Sequence, residues 1–212
     1  MKKRVLVGLL TAAVLLTYSC GSREAVKHYN FGYVLRKQGK FAEAEKEFRE
    51  AIRLQPDYAE AHELLAVALL EQGKTDEGIA ERREAVRLKP GDANFHINLG
   101  DALLKQGDTE ETIKEYREAS RLIPDNVSWD APNHIYLGGQ FRNLGKLEEA
   151  ETEYRKAIRL IPSDNWPLEN LAALLDKQGR RKEARVYWER ALKSEDKPEW
   201  IERIKKRLAE PD

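Results

Sequence analysis

Four histidines are the residues of this 212-residue chain whose type and spacing come closest to a chemical site. His28, His62, His96 and His134 follow one another at intervals of 34, 34 and 38 residues, and imidazole is a common metal ligand and proton carrier near neutral pH. The ligands of one zinc ion must all lie within about 2 Å of it, whereas packed helices run about 8 to 10 Å apart and equivalent residues stand a whole block apart. That spacing excludes a shared metal centre. The single cysteine, Cys20, permits neither a Cys/His zinc pattern nor an internal disulfide. No nucleophile and base pair is recognisable, and Gly138-Gly139 lies inside a helical pattern rather than ahead of one, where a phosphate loop needs it. Carboxylates fall on helix surfaces with basic residues four along, Glu45 with Arg49 and Glu151 with Arg155, as solvated faces do. The chain reads as a non-enzyme that needs no cofactor and no metal.

The histidine interval belongs to the whole sequence. Gly39, Gly73, Gly107, Gly145 and Gly179 mark a 34-residue block repeated five times, with Ala51, Ala85, Ala119, Ala157 and Ala191 always twelve positions later. One interval is four residues longer, which places an insertion at Val127 to Asp130. Each block predicts two short amphipathic helices joined by a tight turn. In the first, Phe31 and Leu35 share a face, and Gln38-Gly39-Lys40 ends the helix with glycine where a left-handed residue is required. Phe41, Ala44, Phe48, Ala51, Ile52 and Leu54 then form one stripe, and Pro56 forbids continuation.

These columns resemble the tetratricopeptide repeat. Its small eighth position is filled by Gly32, Ala66, Gly100, Gly138 and Ala172, and its seventh by Phe31, Leu65, Leu99, Leu137 and Leu171. Its twentieth is Ala44, Gly78, Thr112, Ala150 and Ala184, and its twenty-fourth Phe48, Arg82, Tyr116, Tyr154 and Trp188. Pro56, Pro90, Pro124 and Pro162 close the first four blocks, while Ser194 and Asp196 in the fifth replace the usual leucine and proline. The resemblance implies an all-α, right-handed superhelical solenoid of five helix-turn-helix repeats, at 25–58, 59–92, 93–126, 131–164 and 165–198, with 127–130 inserted and a capping helix and tail at 199–212. Trp200, Ile201, Ile204 and Leu208 give that last helix the apolar stripe a terminal cap needs. Fourth-position histidines become part-buried packing residues. Gly78 and Arg82 depart from the pattern and predict that the second block is the softest interior one, while Trp129 and Trp166 are expected to staple the starts of their helices.

Ahead of the repeats, Lys2, Lys3 and Arg4 precede an apolar run from Val5 to Tyr18, too short for a membrane span of about 20 residues and suited to a secretory signal at 1–19. Leu16-Thr17-Tyr18-Ser19-Cys20 resembles a bacterial lipoprotein processing site, which implies lipidation of Cys20 and a short tether at 20–24. Gly21 after the cysteine implies the outer membrane, with the repeats facing the periplasm. Loss of the leader leaves 34 basic against 37 acidic residues, a net charge near −3 that offers nucleic acid no electrostatic attraction.

Stacked blocks of this kind form a concave face, which in the family binds protein or peptide partners. The resemblance assigns that face to positions two, five, nine, twelve and thirteen of each first helix. In the fourth block these are Pro132, Ile135, Gly139, Arg142 and Asn143, and in the fifth Trp166, Glu169, Ala173, Asp176 and Lys177. Tyr29, Tyr33, Val67, Leu70, Ile97, Leu104 and Ile135 make an apolar stripe across four blocks, with Arg36 and Arg142 beside it. Exposed apolar surface rimmed by charge suits an extended or helical peptide. The expected function is a membrane-anchored protein–protein interaction scaffold in envelope assembly, with an accessory glycan-binding subunit of an envelope enzyme, acting through Tyr29, Tyr33 and Trp166, as the alternative. Substituting Cys20→Ala is expected to release the protein from the membrane fraction of cells, and a variant that stays membrane-associated would refute the anchor.

Overall fold

The structure is a computed structural model that describes residues 22–194 and 197–209. The leader, Cys20 and Asp196 lie outside the described residues. A first helix, α1, covers residues 22–37 and is followed by α2 (Phe41–Leu54), α3 (Ala59–Glu71), α4 (Thr75–Leu88), α5 (Ala93–Gln106) and α6 (Thr109–Leu122). A 3-10 turn (Ser128–Asp130) leads into α7 (Ala131–Asn143), then α8 (Leu147–Leu160), α9 (Asn165–Lys177), α10 (Arg181–Ser194) and α11 (Pro198–Ala209). The fold class is all-α, a repeat of helix pairs, and no strand occurs among the described residues. The chain divides into two compact units, with the boundary between Glu115 and Tyr116 inside α6.

Every inter-helix turn is built alike. Gly39, Gly73, Gly107, Gly145 and Gly179 have φ between 73° and 95°, the left-handed region where a Cβ is penalised. The residue after each glycine donates its amide to a carbonyl five residues back: Lys40 to Leu35, Lys74 to Leu69, Asp108 to Leu103, Lys146 to Phe141 and Arg180 to Leu175, at 2.8 to 3.0 Å. These bonds satisfy carbonyls that the helix end would orphan. Within each unit the helices so reversed pack as antiparallel pairs, α3 on α4 and α9 on α10 among them.

The columns of small residues form the core. Ala51, Ala85, Ala119, Ala157 and Ala191 are fully buried, and so are Ala44, Thr112, Ala150 and Ala184. The eighth position is small because an aromatic ring lies on it. A Cβ at Gly32 would meet the Phe48 ring at 2.8 Å, and one at Gly138 would meet the Tyr154 ring at 2.7 Å. Gly78 obeys the same logic toward a different neighbour: a Cβ there would stand 2.7 Å from Leu70. Arg82, in the aromatic column, is largely buried and pairs with Glu63 at 3.3 Å while donating to the Asn98 carbonyl. Asn98 also donates to Glu63 at 3.1 Å. A polar triad thus stands where other blocks hold a ring.

At the carboxyl end, Ile204 of α11 is fully buried, with Trp200, Ile201 and Leu208 half-buried around it, the arrangement a terminal cap requires. At the other end, Phe31 is 55% exposed, whereas Leu65, Leu99, Leu137 and Leu171 in the same column are buried.

Replacing Gly138 by Ala forces the buried Tyr154 ring to move and is expected to cost about 1–3 kcal/mol, the usual penalty of overpacking. Chemical denaturation of the variant measures it, and an unchanged midpoint would contradict the packing described.

Candidate functional site

The histidines form an internal ladder. Nδ1 of His28, His62, His96 and His134 lies 2.6, 2.6, 2.7 and 2.8 Å from a carboxylate oxygen of Glu47, Glu81, Glu115 and Glu153, each 19 residues further on. Each pair ties the first helix of a block to its second. In His62 and His96 the other nitrogen faces the carbonyl of Pro56 or Pro90 at 3.1 Å, so both nitrogens of each ring confront acceptors. Burial opposes charge on His62, yet its bonds to Glu81 and Pro56 outweigh burial and hold its pKa above the usual 6.5. Glu153 is likewise pushed upward by burial, but hydrogen bonds from His134 and Ser120 prevail and lower its pKa. The fifth block has Leu168 and Tyr187 at these two positions. No cluster that would hold a metal ion occurs among the described residues.

In the first unit the expected stripe is largely absorbed by packing. The Tyr29 ring stacks on Tyr58 at 4.9 Å and lies 6.1 Å from Phe48, and burial, reinforced by Glu60, raises its phenol pKa. Leu70 packs on the core that Ile79 and Leu103 share, filling the space Gly78 leaves. Ile97 is only 8% exposed, which corrects its assignment to the open face. Position five is an interior position here, since Glu63 occupies it in the second block and is also 8% exposed. Val67 and Leu104 are half-buried. Tyr33 alone of the stripe is exposed, with the Arg36 guanidinium 5.2 Å and the Lys37 ammonium 5.6 Å from its ring centre.

The second unit keeps its face open. Pro132, Ile135, Gly139, Arg142 and Asn143 of α7 line a cavity of about 460 Å³, and Trp166, Glu169, Ala173, Asp176 and Lys177 of α9 line another of about 480 Å³. These are the ten positions that the repeat pattern assigns to the concave face in those blocks. Trp166 and Asn170 border both cavities, so the two lie side by side and together form a trough. The Asp164 carboxylate caps α9 by accepting the Trp166 amide at 2.9 Å, so the indole is not needed to hold the helix start. Trp166 is 59% exposed and Trp129 75%, and neither acts as the expected staple. The far wall comes from α11, where the Arg203 guanidinium lies 3.7 Å above the Trp200 ring and is ion-paired with Glu169. Trp188 donates its indole N–H to Asp176 at 2.9 Å.

Profiles described as tetratricopeptide repeat match residues 29–93 and 72–127, 141–164, and 168–194. The chain belongs to the tetratricopeptide repeat family. Repeats of this family typically act as scaffolds that bind protein or peptide partners, and this chain is a protein-interaction scaffold. No curated protein matches this tetratricopeptide repeat chain by sequence. The MamA crystal structure is similar to it with a TM-score of 0.67 and 21% identity, over 84% of this chain and 96% of that one. YrrB, described as a TPR protein with an unusual peptide-binding site, gives 0.65 and 18% over 86% and 92%. Pseudomonas aeruginosa PilF gives 0.65 and 22% over 89% and 84%. At these identities the likeness concerns the fold.

Reading single columns missed the glutamates that face the histidines, although their constant offset of 19 is visible once two columns are read together. It also missed the contribution of α11 to the trough.

Glu63 supplies a pH test. Burial dominates the opposing pull of Arg82 and pushes its pKa to about 7. An acid with a raised folded pKa holds its proton in the folded state where the unfolded chain has lost it, so stability falls as pH rises from about 4.5 to 7. His62, a base with a raised folded pKa, contributes fully below about 6.5 and fades as pH climbs through its folded value, which has the same sign. A Glu63→Gln variant is therefore expected to gain on the wild type between pH 4.5 and pH 8. Unfolding midpoints across that range decide, and a difference independent of pH would overturn the assignment.

Proposed function

We propose that this protein is a membrane-anchored scaffold that holds a peptide or a partner subunit along the open inner face of its first helices, in assembly of the bacterial cell envelope. The observation that carries this reading is the trough on α7 and α9, bordered by an indole more than half exposed and lined by the positions that the repeat pattern assigns to the concave face. A large aromatic on a concave, partly apolar surface rimmed by charge is the usual centre of a protein-binding site. Tyr33, with two cations against its ring, supplies a second exposed aromatic in the first unit. Cys20 lies five residues before the first block, so a lipid there would hold the repeats close to a membrane surface. No described helix is long and apolar enough to cross a membrane.

Panning the full chain against a displayed library of random peptides tests the reading. The expected result is a set of binders whose affinity drops at least tenfold on Trp166→Ala, the loss typical of a central aromatic anchor. Selection of no Trp166-dependent peptide, together with Trp166-dependent capture of soluble cell-wall glycan fragments, would replace it with the glycan-binding alternative.

A further inference from the structure

The trough contains a polar group that the fold does not use. Tyr154 of α8 is 1% exposed, lines the cavity on α7, and its hydroxyl has no hydrogen-bond partner. A buried hydroxyl without a partner is uncommon and costs stability. Two glycines of α7 stand over this ring for different reasons. Gly138 is imposed by packing, since a Cβ there would clash with the ring at 2.7 Å. Gly139 is not, because a Cβ there would sit 4.0 Å from the hydroxyl in ordinary contact. Its effect is to leave the inner face open above the hydroxyl, at a helix-interior position where alanine is otherwise favoured.

One turn along α7 on the same cavity stands Arg142. Its guanidinium donates to the neutral Asn170 side chain at 2.8 Å and has no carboxylate partner among the described residues. The nearby acid, Asp164, is occupied in capping α9 through the Trp166 amide. The fifth block holds the complementary arrangement at the same two positions: Trp188, in the column of Tyr154, donates to the carboxylate of Asp176, in the column of Arg142. Where the fifth block has a donor facing its own acid, the fourth has two donors facing an open cavity.

The geometry points to a carboxylate-binding subsite in which Arg142 and the Tyr154 hydroxyl, reached past Gly139, receive an acidic group of the bound peptide beside Trp166. This deepens the proposed function and rests on the trough being the peptide site. A carboxylate supplies acceptors to both groups and the negative counter-charge missing beside Arg142, which a neutral carbonyl does not. The group is an aspartate or glutamate side chain or a peptide's terminal carboxylate.

The test is an NMR titration of the full chain in detergent, following the Arg142 Nε–H signal, identified by its loss in Arg142→Gln. The probes are N-acetylglycine for a terminal carboxylate, N-acetylglutamate methylamide for a side-chain carboxylate, and N-acetylglutamine methylamide as the neutral control. A saturable shift is expected with at least one carboxylate and none with the control, and the tighter carboxylate names the source. Tyr154→Phe and Gly139→Ala are expected to weaken binding about tenfold while melting at or above the wild-type temperature, because one removes an unsatisfied hydroxyl and the other an interior glycine. Equal response to the neutral control, no saturable shift with either carboxylate, or full binding in both variants overturns the subsite. Peptides selected through Trp166 without preference for an acid would sink the subsite alone, whereas carboxylate binding without any selected peptide would sink the peptide groove alone.

Discussion

The structure depends on one steric bargain, the close seating of a second helix on a small residue of the first, with a ring as the seated group in the first and fourth blocks. Where the distances are explicit, at Gly32 under Phe48 and Gly138 under Tyr154, an added methyl group would fall inside contact distance. Close approach of the two helices fixes where everything else points. The alanines at the twentieth and twenty-seventh positions are buried by that approach, and the turn glycines have to reverse the chain within two residues to permit it.

Much of this was legible because the period exposes it. A glycine recurring at one phase identifies a left-handed turn, and small and aromatic residues recurring at fixed phases identify a packed pair, whatever the rest of the block holds. What was not legible depended on pairs of columns. Glu63 and Arg82 each look like surface residues or departures from the pattern when read alone, yet together with Asn98 they replace a ring by a hydrogen-bonded cluster. Ile97 looked available because its position belongs to the concave face in general, but that position is interior in the second and third blocks. The tryptophans were assigned to stapling because they precede helices, and Asp164 already satisfies the helix that Trp166 begins.

The two units use similar surfaces differently. In the first, Tyr29, Leu70 and Ile97 of the inner face pack inward, and three of the four histidine–glutamate pairs brace first helices to second ones. In the second, the same face retains cavities, three tryptophans gather near its end, and the fifth block exchanges the histidine pair for leucine and tyrosine. Beside one of those cavities the buried Tyr154 hydroxyl has no hydrogen-bond partner among the described residues.

Outward-facing arginines add a further regularity. Arg49 reaches Glu77 at 2.9 Å, Arg83 reaches Glu111 at 2.6 Å and Arg117 reaches Glu149 at 2.5 Å, one rung per junction. Such solvent-facing rungs add little strength.

Phe31 gives the amino-terminal edge a distinctive character. It occupies the column that later modules bury, so among the described residues this edge presents an apolar ring where the later modules have interior. A homologous module grafted ahead of residue 22 would find that ring to pack against, which makes this side the natural one for lengthening the array.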